Sequence, residues 1–312
     1  MQTPYPTPTA ATLLDAAQTA KRLPYPLLVR ELALLLADLS VQVPARLVQP
    51  LPGGARLLIM PALDAHTAIT KLITFTPANA GRGLATIQGD VVVFDVATGQ
   101  RQLILDGPTV TARRTAAVSL LAAQRLAPNT FGPLLIVGAG VQGRAHLDAF
   151  AEGLGVKQVV IASGSAASAN ALAAHAQSLG LQARVVTNAD AALGECPLVV
   201  TCTPASTVVL SALPRSDAFI AAVGAFTPHM VELGPELCRY VAEHGTLVVD
   251  TVDAAHEAGD LLQAGLDVTR FASLADVIRS EAFVVKGPVL FKSCGWAGWD
   301  LAAARAALAF SS

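Results

Sequence analysis

Two textures divide the chain. Pro26 to Ser40 carries dense Leu interrupted by Arg30, Glu31 and Asp38, the spacing of a helix. After it, Arg56–Met60, Ala68–Phe75 and Val91–Val96 are short and rich in β-branched residues. Asp95-Val-Ala-Thr-Gly99 followed by Arg101–Leu105 has the glycine of a hairpin turn. This part predicts an antiparallel sheet, with a helix over Val110–Leu126 leading out of it. Pro128 and Pro133 bracket a linker. Beyond it the predicted strands are Leu134–Val137, Gln158–Ala162, Arg184–Val186, Leu198–Thr201, Phe219–Val223 and Thr246–Asp250, with helical stretches in most gaps. Strands alternating with helices at this spacing predict a parallel sheet covered by helices on both faces. Residues 1–10, rich in Pro and Thr, read as extended.

The fold class expected is α/β: a doubly wound parallel sheet over residues 128–288 and a sheet-based domain over residues 1–127. Trp299 to Phe310 reads as an Ala-rich helix. Because six strands already complete the parallel-sheet domain, residues 289–312 are expected to return to the first one.

Composition narrows the functional classes. A length of 312 residues suits two domains, and a formal net charge of -2 with no basic run argues against nucleic acid or an anionic membrane surface as partner. The uncharged stretch from Cys196 to Pro214 contains Pro197, Pro204 and Pro214. It reads as strand, loop and strand, not as a spanning helix of ~20 apolar residues. No basic region followed by an apolar core opens the chain, and Asp15 interrupts its first apolar run, so no signal peptide is expected and the cytoplasm is the expected location. Cys196, Cys202, Cys238 and Cys294 form no Cys-x-x-Cys pair. They read as small buried residues in a reducing compartment and not as metal ligands or disulfides.

The strongest local signal is Gly138-Ala139-Gly140-Val141-Gln142-Gly143, entered from Leu134-Leu-Ile-Val137 and followed by the helix-like Arg144-Ala-His-Leu-Asp-Ala-Phe150. Strand, glycine turn and helix in this order grip a dinucleotide. Gly138 permits the tight turn, Gly140 lets backbone approach the pyrophosphate, and Gly143 lets helix and strand pack closely. The helix N-terminus then offers free N–H groups and partial positive charge to phosphate. The second strand ends at Ala162-Ser163-Gly164-Ser165 without the Asp or Glu that would hold a ribose 2′-hydroxyl. Ser163, Ser165 and Ser168 can donate to a 2′-phosphate, which leans the expectation to NADPH with NADH possible. The usual Arg is also missing, since Gly164 stands in its place, and ordinary loop chemistry explains the serines nearly as well. Thr203 and Val223 follow strand ends on the edge where open α/β sheets bind ligands.

Charges are sparse in the first domain. Lys71 shares a strand face with Ile69 and Ile73, so a cation lies on the inward face, which is costly unless it meets an anion. Arg46 follows Val43-Pro44, and Arg113 and Arg114 open the following helix. If they converge, two Arg and one Lys would clamp a carboxylate. Each alone, Arg113 above all, also reads as a surface cation.

These motifs resemble the ornithine cyclodeaminase/mu-crystallin family. The resemblance runs from about Arg46 to the C-terminal helix. It rests on Met60-Pro-Ala62, Lys71 with Pro77-Ala-Asn79, Asp95–Gly99, Thr111-Ala-Arg-Arg-Thr-Ala-Ala117, Gly138–Gly143 and Phe291-Lys-Ser-Cys-Gly295. It implies a Rossmann-type cofactor domain and a homodimer associating through first-domain sheets, which makes the first domain the substrate-binding and dimerisation domain. It also implies a carboxylate clamp from Arg46, Lys71 and Arg114. Thr86, Thr115 and Ser293 fall where members approach the nicotinamide or its phosphates, with Arg114 beside them. Glu257, in His256-Glu-Ala-Gly-Asp260, falls where a family acid faces substrate. One departure discriminates. Counting back from Pro228 and Glu232-Leu233, the cyclodeaminase Asp is replaced here by Phe226, which can neither exchange protons nor hold an ammonium by charge.

The expected activity is therefore NAD(P)H-dependent reduction of a small cyclic imino acid, Δ1-pyrroline-2-carboxylate and/or Δ1-piperideine-2-carboxylate, to L-proline or L-pipecolate. Glu257 or a bound water would protonate the imine nitrogen, with Lys71 the alternative, and Phe226 would shield the ring. Ornithine cyclodeaminase, an alanine-type amino-acid dehydrogenase and a non-catalytic, crystallin-like NADPH-binding protein remain the alternatives.

Overall fold

A computed structural model describes residues 11–204 and 206–310. Residues 1–10, read above as extended, lie outside the described residues. The chain divides into two compact units, Met1–Arg114 with Ala297–Ser312, and Thr115–Trp296.

The first unit contains β1 (Thr12–Leu13), α1 (Ala16–Arg22), α2 (Tyr25–Ala37), β2 (Leu47–Pro50), β3 (Arg56–Leu63), β4 (Thr67–Phe75), β5 (Ile87–Asp95) and β6 (Arg101–Asp106). Its six-stranded sheet has the order β1-β6-β5-β4-β3-β2. The ladder is antiparallel except where β1 runs parallel to β6, so the sheet is mixed. The β5–β6 turn is made by Gly99 at φ 69° and by Asp95, whose carboxylate accepts from Thr98 N at 2.8 Å. On one face, Met60, Ala62, Ile69, Lys71, Ile73, Val91, Val93, Leu103 and Leu105 are buried. α3 (Gly107–Leu126) begins in this unit, its first turn held by Asp106, which accepts from Thr109 N.

The second unit holds β7 (Leu134–Val137), α4 (Val141–Leu154), β8 (Gln158–Ala162), α5 (Ala166–Ser178), β9 (Gln182–Val186), α6 (Ala189–Leu193), β10 (Leu198–Thr201), β11 (Phe219–Ala222), α7 (Pro235–His244), β12 (Thr246–Val249), α8 (Ala254–Glu257), α9 (Gly259–Gln263), β13 (Ala272–Ser273), α10 (Leu274–Arg279) and β14 (Val289–Lys292). All pairings are parallel, in the order β13-β12-β14-β11-β10-β7-β8-β9. From β7 the chain winds outward to β9, then returns to start again at β10 on the other side of β7. That reversal is the topological switch point, the crevice where doubly wound sheets take ligands. The unbroken apolar runs of β7, β10 and β11 are wholly buried, as strands covered on both faces must be.

Three expectations need correction. The parallel sheet has eight strands, not six, and the segment from 289 onward does not return at once to the first unit. β14 fills the gap between β11 and β12, and the return begins at Ala297 with α11 (Ala297–Ala309). A four-residue run ending in lysine carries no strand signal until its partners on both sides are known. The boundary also falls within α3, between Arg114 and Thr115, and not in the 128–133 linker. The Ala-rich α11 packs against β3, β4 and α2, where small side chains let helix and sheet approach closely.

Among the described residues no helix is long and apolar enough to cross a membrane, and no group of three His, Cys, Asp or Glu is arranged to hold a metal ion.

Candidate functional site

In the second unit the glycine turn has the geometry its chemistry requires. Gly138 sits at φ 112°, and a Cβ there would lie 2.9 Å from the carbonyl oxygen of Cys202. A Cβ on Gly143 would collide with the carbonyl oxygen of Gly138, so helix α4 can lie this close to β7 only with glycine. A Cβ on Gly140 would project into open space. Gly140 is the N-cap of α4 and supplies no side-chain hydrogen bond, so the first N–H groups of the helix face that space uncapped. Val141 is exposed, and Gln142 Oε1 is buried without a hydrogen-bond partner among the described residues. Uncapped donors beside space that a side chain would otherwise fill fit a dinucleotide pyrophosphate.

The serine turn after β8 has a local role. Ser165 is the N-cap of α5, accepting from Ser168 N and Ser168 Oγ, and Ser163 Oγ accepts from Ser165 N. In these bonds Ser163 and Ser165 accept, so their hydroxyl protons remain to be donated. Gly164 between them is exposed.

At the ends of β10 and β11 sits a residue the sequence reading did not single out. Glu232 is fully buried, and its carboxylate accepts from Thr201 Oγ1 (3.1 Å), Thr203 N (2.6 Å), Thr203 Oγ1 (2.9 Å), Gly224 N (2.6 Å) and Ala225 N (3.2 Å). It ties together the loops carrying Thr203 and Val223. A Cβ on Gly224 would fall 2.5 Å from that carboxylate, which is why the turn after Val223 is glycine. Behind Glu232, Asp260 on α9 accepts from Glu232 N (2.6 Å) and Leu233 N (2.9 Å) and pairs with Lys292 Nζ at 2.7 Å, both side chains fully buried. Burial opposes the charge on Lys292, but Asp260, Cys294 and Glu232 beside it prevail and raise its pKa. Burial raises the Glu232 carboxyl, against the pull of Lys292 and the Thr203 bonds. Ser293 is buried and donates to Asp250 at 2.8 Å, and the same Asp250 oxygen accepts from Cys294 N and Gly295 N. Asp250 thus fixes the loop after β14. Phe226 is 47% exposed, and Glu257 is half-buried at the end of α8. The four cysteines are free. Burial pushes Cys196 up to about 11 and Cys238 up to about 12, so these thiols stay protonated.

In the first unit the inward lysine meets its anion. Lys71 is 2% exposed and donates to Thr111 Oγ1 at 2.6 Å and to both oxygens of Asp300 at 3.2 and 3.4 Å. Arg114 Nε donates to Asp300 Oδ1 at 3.1 Å. Asp300 stands on α11, where it is completely buried. Burial, with Arg114 adding to it and Asp300 opposing, lowers the Lys71 pKa to about 8. Among the described residues the cluster has two cations to one anion, and the terminal Nη nitrogens of the Arg114 fork make no hydrogen bond or ion pair. Arg46 is exposed just before β2. β2 pairs Leu47 with Ile59 and β3 pairs Met60 with Lys71, so one further step along the register sets Arg46 in a row with Lys71, two strands and about 10 Å away. Thr86 is half-buried ahead of β5, its carbonyl accepting from Thr76 N, and Thr115 follows Arg114 on α3 as the first residue of the second unit. The structure thus joins Lys71 and Arg114 through Asp300. Arg46 belongs to the same unit, whereas Phe226, Glu257 and Ser293 belong to the other. Asp300 was missed, although a lone acid in an Ala-rich apolar helix is itself a signal of a buried cationic partner.

A doubly wound sheet with a glycine turn and an uncapped helix at its switch point defines a Rossmann-type α/β protein of the dinucleotide-binding class. Residues 31–308 match the ornithine cyclodeaminase/mu-crystallin family, and the chain belongs to that family. It is 40% identical over 297 residues to Δ1-pyrroline-2-carboxylate reductase 2 of Burkholderia ambifaria, covering 94% of each chain. It is also 40% identical over 300 residues to the Δ1-pyrroline-2-carboxylate/Δ1-piperideine-2-carboxylate reductase of Azospirillum brasilense, covering 95% of this chain and 94% of that one. The fold matches that of Thermococcus litoralis Δ1-pyrroline-2-carboxylate reductase, solved with NADH and L-proline, with a TM-score of 0.85 and 24% identity over 95% of this chain and 96% of that chain.

Proposed function

We propose that this protein reduces cyclic ketimines, Δ1-pyrroline-2-carboxylate and/or Δ1-piperideine-2-carboxylate, to L-proline or L-pipecolate at the expense of NADH or NADPH. The buried Lys71–Arg114–Asp300 cluster carries the reading within the structure. One excess positive charge and a guanidinium fork with its terminal nitrogens uncommitted suit a small monocarboxylate. The relatives at 40% identity are named for this reaction.

The substrate ring gains a hydride at its imine carbon and a proton at its nitrogen, and the reduced nicotinamide supplies the hydride when bound. Arg114 holds the substrate carboxylate, with Arg46 as the outer cation. Lys71 is the proton donor: its pKa of about 8 leaves it protonated at neutral pH yet a readier acid than an exposed lysine. Glu257 is the second proton-donor candidate, and Phe226 covers the ring. An aromatic at Phe226, where the family resemblance sets the cyclodeaminase acid, favours imine reduction over cyclodeamination or amine oxidation. Turnover separates this reading from a crystallin-like binding protein.

The pyrophosphate sits on Gly138, Gly140, Val141, Gln142 and Gly143. Ser163, Gly164 and Ser165 meet the adenosine ribose, and Thr86, Thr115, Thr203, Val223 and Ser293 serve the remainder of the cofactor. With no acid after β8, the ribose turn accepts a 2′-phosphate as well as a 2′-hydroxyl, which supports NADPH alongside the NADH of the solved Thermococcus relative. The protein forms a homodimer through the sheet of the first unit. The face opposite Lys71 carries exposed Leu13, Leu47 and Leu72 and half-buried Ile59, Val92 and Ile104, an apolar surface suited to a second copy. Its unpaired thiols suit a reducing compartment, and we assign the enzyme to the cytoplasm.

The test is the loss of reduced-nicotinamide absorbance with each ketimine, run with NADH and with NADPH. Turnover with either ring, yielding the cyclic amino acid, is expected. No turnover with both rings and both cofactors overturns the proposal.

A further inference from the structure

Lys71 is held by a specific set of partners. Thr111 Oγ1 donates its proton to Gly107 O at 2.8 Å, so toward Lys71 it can only accept. The two Asp300 oxygens lie at 3.2 and 3.4 Å from Nζ and, being bonded to one carbon, subtend too narrow an angle there to take separate N–H bonds, so they share a second one. A neutral amine has two N–H bonds, and both are thereby committed. The ammonium has a third, which among the described residues has no acceptor. The cross-strand neighbours of Lys71, Met60 on β3 and Val91 on β5, are apolar. The charged groups that face it are Asp300 from α11 and Arg114 from α3. The same Asp300 oxygen also takes Arg114 Nε, so a ligand carboxylate can meet that guanidinium only end-on, through its two Nη nitrogens.

The geometry points to Asp300, assisted by Thr111, as the positioning residue of this site, directing the one exchangeable N–H of Lys71 to the imine nitrogen and turning Arg114 end-on to the substrate carboxylate. This inference rests on the function proposed above. In the reductive step the imine carbon receives a hydride, and the reduced nicotinamide becomes oxidised. The nitrogen lone pair takes the third proton of Lys71 Nζ, and the C=N π bond becomes a single bond. Lys71 is left neutral with its two remaining N–H bonds on Thr111 and Asp300, and water restores the proton. Asp300 touches neither the ring nor the cofactor, and acts through the two cations.

The experiment compares wild type with Asp300→Asn and Thr111→Val, following kcat and KM for Δ1-pyrroline-2-carboxylate across pH. It also follows the titration of Lys71 Nζ by nitrogen NMR in the absence of substrate. In wild type kcat falls as pH rises through about 8, where Lys71 loses its proton. Removing the anion that stabilises the ammonium moves that fall, and the Nζ titration, about one to three pH units lower in Asp300→Asn. There kcat at neutral pH drops about tenfold or more while KM stays near the wild-type value, because losing the Asp300 charge together with the Lys71 proton leaves the net charge of the cluster unchanged. Thr111→Val, which removes a neutral acceptor, lowers kcat with KM held and the pH limb in place. It covers the case in which Asp300→Asn does not fold. An Asp300→Asn protein with wild-type pH limb and Nζ titration overturns the proposal, as does a Thr111→Val protein with wild-type kcat. Absence of turnover in wild type refutes the assigned function instead, and the Nζ titration then decides the positioning claim alone.

Discussion

Both units bury a lysine against an aspartate. Lys71 pairs with Asp300 at 3.2 Å and Lys292 with Asp260 at 2.7 Å, and all four side chains are essentially sealed from solvent. The pairs differ in the third charge. Beside Lys71 it is Arg114, a second cation, and the lysine pKa is lowered to about 8. Beside Lys292 it is Glu232, a second anion, and the lysine pKa is raised. They differ also in what the carboxylates hold. Asp260 and Glu232 spend their oxygens largely on backbone N–H groups of loops, whereas among the described residues Asp300 holds the two cationic side chains alone. Burial of an ion pair does not by itself indicate a functional site. A surplus of one sign, with donors left over, is what supports assigning the Lys71 cluster to the proposed substrate site.

Substitutions can separate the two roles. The largest stability effect is expected for Lys292→Met, which strands Asp260 and Glu232 as buried anions and costs about 3–5 kcal/mol. Equilibrium denaturation would show it, and a loss under about 1 kcal/mol would mean that the network is not the brace described. Arg114→Ala is expected to raise KM for the ketimine by roughly 10–100-fold, the 1.5–3 kcal/mol of a charge-assisted hydrogen bond. An unchanged KM would remove Arg114 from the clamp.

Next comes Glu232→Gln. Its amide can accept only at one end, so the loops of Thr203 and Gly224 loosen and the dinucleotide dissociation constant rises about tenfold, or ~1.4 kcal/mol. Fluorescence titration of NADH without substrate measures this, and unaltered binding would confine Glu232 to folding. The smallest effect is expected from Ser165→Ala, which removes the cap of α5 and about 1 kcal/mol of stability. A neutral outcome in denaturation would show that the serine hydroxyl does little as a cap.

The same comparison shows what sequence can and cannot reveal. β8 and β10 were legible to the residue, because Gln158–Ala162 and Leu198–Thr201 are dense apolar runs bounded by polar or turn residues. β14 was not, because Val289–Lys292 is short, ends in a charge and pairs only with strands about 40 or more residues distant. The glycine turn was legible because its function is local: each glycine answers to a residue near it or to the space beside it. Lys71 was flagged by alternation, since a cation on an apolar face demands an anion. Its partner was hidden, because Asp300 lies 229 positions away and nothing in an alanine-rich helix names the cation it meets. Glu232 and Asp260 were passed over for a related reason. A single acid in a short segment looks like a surface residue until the fold closes donors around it.

The most direct test of the distinction between the two lysines is kcat for Δ1-pyrroline-2-carboxylate in Lys71→Met, measured on protein whose denaturation curve is recorded alongside. Methionine fills the same apolar row and leaves Asp300 paired with Arg114, so the variant is expected to keep its fold while kcat falls about 10²-fold or more through loss of the proton donor. A folded Lys71→Met protein with near wild-type kcat would contradict the assignment of Lys71 to the chemistry.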